Sequence, residues 1–102
     1  MAGKKVINGY QSQIASINQE NKKFEKDINL FNIIAEEFEE GKNYTIRRIG
    51  IQTAPGTKIY LNSIPIIIGK TGIYEVDDVE ITSIILEEDN DNIIIDYIIK
   101  GD

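Results

Sequence analysis

Cysteine, histidine and tryptophan are absent from these 102 residues. Their absence excludes disulfides, thiolate metal sites, a Cys nucleophile and a Ser-His-Asp triad, and leaves the redox compartment unmarked. Basic residues are scarce, 11 Lys and Arg against 17 Asp and Glu, and the net charge of −6 opposes the phosphate backbone that nucleic-acid readers neutralise. No apolar run approaches the roughly 18 residues of a membrane span, and the opening MAGKKVINGY lacks the apolar stretch of a secretory signal. The expectation is a soluble, non-exported chain that binds neither nucleic acid nor membrane and uses no cofactor or metal.

What the chain has instead is isoleucine, 23 residues of it, with a single methionine. Most of its apolar volume is therefore β-branched and stiff at χ1, which favours strands wherever Ile clusters. A chain this short builds one core, or one small domain plus a helical arm. Its texture changes near Gly41: residues 7–40 are polar with sparse apolar positions, whereas 44–100 are dense in Ile, Gly and Thr and hold both prolines, Pro55 and Pro65. The division expected is an N-terminal helical arm for oligomerisation or docking over 1–41 and a β domain over 42–102.

Ile7, Tyr10, Ile14, Ile17, Asn21, Phe24, Ile28, Phe31, Ala35 and Phe38 recur at alternating spacings of three and four. This heptad seam predicts a long coiled-coil-like helix. Ile14, Ile17, Asn21, Phe24, Ile28 and Phe31 form its expected oligomer interface, with the Asn21 amide fixing register. Aromatic residues at the d positions are bulky for a tight dimer and favour a trimer. A competing arrangement packs the helix on its own β domain, because the stripe widens at Leu30, Ile33 and Ile34. A mixed one has 7–28 self-associating and 29–40 docked on the sheet. Glu36, Glu37, Glu39 and Glu40 crowd a helix end that is already negative, with Lys42, Arg47 and Arg48 the nearest cations.

The second half reads as six strands, about 43–52, 58–62, 64–68, 73–77, 79–86 and 93–100, separated by turns such as Ala54-Pro55-Gly56-Thr57 and Gly69-Lys70-Thr71-Gly72. Such strands fit a small antiparallel β-sandwich or partly open β-barrel. The fold class expected is therefore α+β, a long N-terminal helix followed by that β unit. Pro65 has no N–H, which places 64–68 at an edge or leaves its first residue unpaired. Ile66-Ile67-Ile68 and Ile93-Ile94-Ile95 are apolar on both sheet faces, more than a monomer of this size covers alone.

No catalytic set emerges. Gly69-Lys70-Thr71 has the ending of a phosphate-binding loop, but Ile64 stands where its first Gly belongs and strand texture follows, so a hairpin turn is expected. Glu87–Asn92 offers oxygen ligands for calcium yet lacks the Gly and distal Glu of an EF-hand, and reads as a solvated hairpin tip. Glu75, Asp77, Asp78, Glu80 and Asp96 could supply paired carboxylates for glycoside hydrolysis, but strand alternation scatters them. Tyr10, Tyr44, Tyr60, Tyr74 and Tyr97 could stack on sugars, although four of the five fall at strand positions expected to pack.

Residues 47–86, RRIGIQTAPGTKIYLNSIPIIIGKTGIYEVDDVEITSIIL, resemble a pattern recurring in small structural proteins of tailed bacteriophages and of related prophage or phage-tail-like particles of low-GC Gram-positive hosts. Ile49-Gly50-Ile51-Gln52, Pro55-Gly56-Thr57-Lys58, Asn62, Ile66-Ile67-Ile68-Gly69, Thr71-Gly72-Ile73-Tyr74-Glu75 and Ile81-Thr82-Ser83 carry the resemblance, which covers the β half only. The pattern's usual Asn-Gly corner is Asn62-Ser63 here, so a looser hairpin is expected. The resemblance implies a virion component and brings no catalytic or cofactor residues with it. The expected function is a non-enzymatic structural subunit of a bacteriophage or phage-like particle, such as a fibre, spike, capsid-decoration or tail or baseplate accessory. It would self-associate, contact other virion proteins and reside in the virion after assembly in the host cytoplasm. Two other classes are a cell-surface glycan-binding module and a small host-directed or regulatory coiled-coil protein.

Overall fold

The computed structural model describes the backbone of residues 9–16 and the whole of 24–101. The elements follow in the order β1 (Gly9–Ser16), α1 (Leu30–Ala35), β2 (Tyr44–Gln52), β3 (Lys58–Leu61), β4 (Ile64–Ile67), β5 (Ile73–Val76), β6 (Ile84–Leu86) and β7 (Ile94–Gly101). Two antiparallel sheets result, one of four strands ordered β1-β7-β2-β5 and one of three ordered β4-β3-β6. Alternation supplies the core: Ile95, Tyr97 and Ile99 of β7 meet Ile46, Ile49 and Ile51 of β2, and Ile59, Leu61, Ile84 and Leu86 come from the smaller sheet. No helix among the described residues is long and apolar enough to cross a membrane.

The expected α+β fold with a long N-terminal helix is corrected by the structure, which is mainly β. Gly9–Ser16 is a strand pairing with β7 from Gly9 opposite Gly101 to Ser16 opposite Ile94. Further on, Phe24 bridges to Asn90 and Asn29 to Ile85, both antiparallel. Asp27 between them has φ of 70°, a left-handed backbone that no right-handed helix continues through. The physical reason lies in tertiary pairing. Gly9, Tyr10, Ser12, Ile14 and Ser16 are weak helix formers, and β1 satisfies the backbone groups along one side of β7. Apolar residues at three-four spacing are necessary for a coiled coil and insufficient for one.

Among the described residues, helix survives only in six, LFNIIA. Asn29 caps it by accepting the Phe31 N–H on Oδ1 at 3.1 Å, and the same oxygen accepts the Ile84 N–H of β6 at 2.9 Å. Leu30, Phe31 and Ile34 are buried by the helix, and Phe38 by the turn that follows. The segment thus plugs the sandwich. Of the acidic run behind it, Glu39 pairs with Lys42 at 2.8 Å, whereas Arg47 and Arg48 turn to other carboxylates.

The turns behave according to their residues. In Ala54-Pro55-Gly56-Thr57 the Gly56 φ is 87° and the Thr57 N–H reaches Ala54 O at 3.3 Å, a type II turn. Asn62 and Ser63, with φ of 51° and 68°, form a two-residue type I′ loop closed by the pair Leu61 and Ile64, tighter than the corner expected. Gly69–Gly72 is a corner between sheets and joins β4 to β5, so it closes no hairpin. Of the expected strand 79–86, only Ile84–Leu86 is regular, while Ile81 exchanges two hydrogen bonds with Ile46 at 2.9 Å.

Candidate functional site: the open mouth of the sandwich

The strand order leaves β5 at one edge of the larger sheet and β4 at one edge of the smaller. Inner-face residues are identified by their cross-strand partners. Ile64 and Ile66 lie opposite buried Leu61 and Ile59, and Tyr74 and Val76 lie opposite buried Ile51 and Ile49. These inner residues do not close over one another. They line a groove of about 260 Å³ together with Val79 and Ile81, where the core opens to solvent. Ile64 is 65% exposed although it points inward, and Ile67 on the other face of β4 is 66% exposed. Singly exposed isoleucines are ordinary; one that stands at a sheet edge over a groove leading into the core is not.

The two edges differ in backbone chemistry. The two-residue loop makes Leu61 and Ile64 a hydrogen-bonded pair, so the next pair, Tyr60 and Pro65, is a non-bonded one. The Pro65 nitrogen therefore faces away from β3, at the open edge, where it has no donor to offer a further strand. β5 carries no proline and, among the described residues, has β2 on one side and no strand on the other. Strand addition is muted on β4 and open on β5.

Charged residues lie beside the groove, with Glu80 on its lining. Arg47 contacts Glu80 at 2.8 Å and Asp78 at 3.9 Å, and Arg48 contacts Glu75 at 3.7 Å. A bulge between Ile46 and Arg48 lets these consecutive arginines serve one acidic stretch. Asn62 fastens that stretch to the hairpin: its amide donates to Glu80 O at 2.6 Å and its carbonyl oxygen accepts the Thr82 N–H at 2.9 Å.

The six residues expected at a coiled-coil seam are dispersed. Ile14 lies on β1 opposite Asp96, and Ile17 and Asn21 are outside the described residues. Phe24 is half-buried at its bridge to Asn90, Ile28 is 41% exposed, and Phe31 is buried in the core of its own chain. Neither 9–16 nor 24–29 is helical, so no heptad seam runs through the described residues.

The other sequence candidates find structural employment. In the acidic loop Asp89 accepts the Lys26 N–H at 3.0 Å, and Asn90 and Asn92 hydrogen-bond the buried Thr53 hydroxyl at 3.1 and 3.2 Å. Among the described residues no group of three or more acidic side chains is placed to hold a metal ion. Glu75 and Asp96 do come into one row, on either side of Gly50, above a depression of about 210 Å³ rimmed by Ile73 and Ile94. Among the described residues, Tyr44, Tyr60, Tyr74 and Tyr97 form no shared platform. Tyr97 is buried, Tyr44 packs on Phe38 with ring centroids 5.7 Å apart and donates to Glu39 O, and Tyr74 lines the groove. Tyr60 donates to Glu87 at 2.9 Å, and the Tyr60 hydroxyl with the Glu87 charge holds Lys58 above its ordinary pKa.

The mouth was the feature sequence reasoning missed. Its signal was the surplus of two-sided Ile runs, but which residues stay uncovered depends on strand order. Comparison with protein-family models, with curated proteins and with solved structures returns no match.

Proposed function

We propose that this chain is a non-enzymatic assembly subunit, whose work is to be covered by neighbouring copies and so to build a larger object. The observation that carries this reading is the open mouth between β4 and β5, where Ile64, 65% exposed, and its neighbour Ile66 continue the core to the surface, with Ile67 adding a second exposed isoleucine on the other face of β4. Covering apolar area of this kind at about 25 cal/mol per Å² is the driving force available. The resemblance of residues 47–86 to small virion proteins supports placing that object among bacteriophage or phage-like particles.

Sedimentation equilibrium across concentration tests the first part: mass should rise above 11.5 kDa with loading. A single monomeric species up to millimolar concentration would end the reading. Gradient purification of phage-like particles from cells carrying the gene tests the second, and the chain should co-purify in fixed ratio to the major structural proteins.

A further inference from the structure

We infer that copies of this chain join head to tail, the outer edge of β5 in one copy pairing antiparallel with the outer edge of β1 in the next. The inference rests on the self-association reading and specifies its contact. β1, β7, β2 and β5 alternate in direction, so β1 and β5, at opposite ends of the larger sheet, run oppositely. A copy displaced along the sheet without being turned over therefore brings its β1 antiparallel to β5 and continues the ladder. The β5 backbone is set for this. The Thr53 N–H donates to Gly72 O at 3.0 Å, which makes Thr53 and Gly72 a hydrogen-bonded pair. Alternation then makes Gly50 and Glu75 a non-bonded pair, so the Glu75 N–H and C=O point away from β2, toward the next copy.

Charge selects this pairing over a like-with-like one. At the β5 end the exposed Glu75, Asp77, Asp78 and Glu80 outnumber Arg47 and Arg48. β1 is bracketed in sequence by Lys4-Lys5 and Lys22-Lys23, and the exposed Lys26 follows. Residues 1–26 hold five lysines and two glutamates, a balance of +3, whereas 27–102 hold the other six cations and 15 acids, a balance of −9. Opposite signs thus meet across the contact, where two β5 edges would set acid against acid. The smaller layer is complementary too. β4 lies on the β5 side, and β6 on the far side, where Asn29 bridges to Ile85 and Ile28 beside it is 41% exposed. The displaced copy brings that flank against β4, Ile28 toward the exposed Ile64, an apolar contact that asks no hydrogen bond of Pro65. Because the contact uses two different edges, each addition leaves one of each free and growth continues into a filament or a ring.

Because the chain has no cysteine, introduced cysteines report contacts without ambiguity. Ile73 and Ser16 belong to one cross-strand row through Gln52 and Ile94, and Ser12 is an even number of residues from Ser16, so positions 73 and 12 share a face of the extended sheet. The double variant Ile73→Cys with Ser12→Cys, treated with a short bis-maleimide that reaches opposed and diagonal neighbours, should give a ladder of dimers, trimers and higher species on a denaturing gel. Each single variant should give none. Raising salt from about 50 to about 500 mM should weaken wild-type association several-fold, because it screens the attraction across the contact. Glu75→Lys, at an exposed side chain, should weaken association several-fold with the circular dichroism of the fold unchanged. If the wild-type chain associates but salt tightens it, the double variant gives no ladder, or Ile73→Cys alone links to itself, the head-to-tail contact is overturned and self-assembly stands. If the wild-type chain is monomeric throughout, both are overturned.

Discussion

The Asp96 carboxylate occupies the space above Gly50 that a side chain on β2 would fill. A Cβ at Gly50 would overlap Asp96 Oδ1, and the two residues are direct cross-strand partners. Gly50→Ala should therefore cost about 1–3 kcal/mol through overpacking. Asp96→Ala should recover most of that loss in the double variant, read as a coupling energy from urea unfolding of all four proteins. Additive losses would mean the carboxylate swings clear.

The hairpin at Asn62 and Ser63 holds a serine in left-handed backbone, with φ of 68°. Ser63→Gly should stabilise the fold by roughly 0.5–1 kcal/mol, because glycine adopts that conformation without the Cβ penalty. Asn62→Gly should do the reverse in spite of equal backbone freedom, since it deletes the bonds to Glu80 O and Thr82 N. Thermal melts of the two variants should move in opposite directions.

Tyr97 is buried, and its hydroxyl has no hydrogen-bond partner among the described residues. Burial, with the Glu37 charge adding to it, pushes its pKa up to about 12. A phenol that resists ionisation in the folded state and ionises near 10 when unfolded contributes stability that is complete below pH 10 and lost as pH rises towards 12. The wild-type chain should lose on the order of 2 kcal/mol over that window. Tyr97→Phe should flatten this part of the pH profile and be neutral or slightly stabilising at pH 7, because it removes an unsatisfied polar atom.

Phe31 distinguishes a plug from an arm. In a helix that joins subunits, Phe31→Ala would weaken association and spare the monomer. Buried in the core of its own chain, it should instead cost about 3–5 kcal/mol, independently of protein concentration. Asn29→Ala should cost about 1–3 kcal/mol by the same assay, since one oxygen serves both the helix cap and the Ile84 N–H.

Most strand positions from 44 onward were legible because their signals are local, the exception being 79–83, which precede the three regular residues Ile84–Leu86. Ile alternation and turn residues such as Pro55-Gly56 act within a few residues of where they are read, and Pro65 marks an edge by a property of its own ring. The first forty residues were illegible for the opposite reason. Tyr10 to Ser16 become a strand because β7 offers a ladder, and β7 lies about eighty residues away in the chain. Heptad spacing carried no information about that competitor. The mouth follows the same rule: Ile64 and Ile66 could be recognised as needing cover, but only the order of strands shows that nothing within the described residues provides it.

The position of β7 governs the timetable of folding. It sits between β1 and β2, yet both are made before it; β2 can pair with β5 in the meantime, whereas β1 has β7 as its one neighbour among the described strands. The smaller sheet, whose β3 and β4 are joined by two residues, can form early; the larger must wait for a distant closure that is slow in proportion to the loop it spans. Until that moment the isoleucines of the nascent polypeptide stay bare, which makes this stretch of translation the window in which chaperone protection matters most.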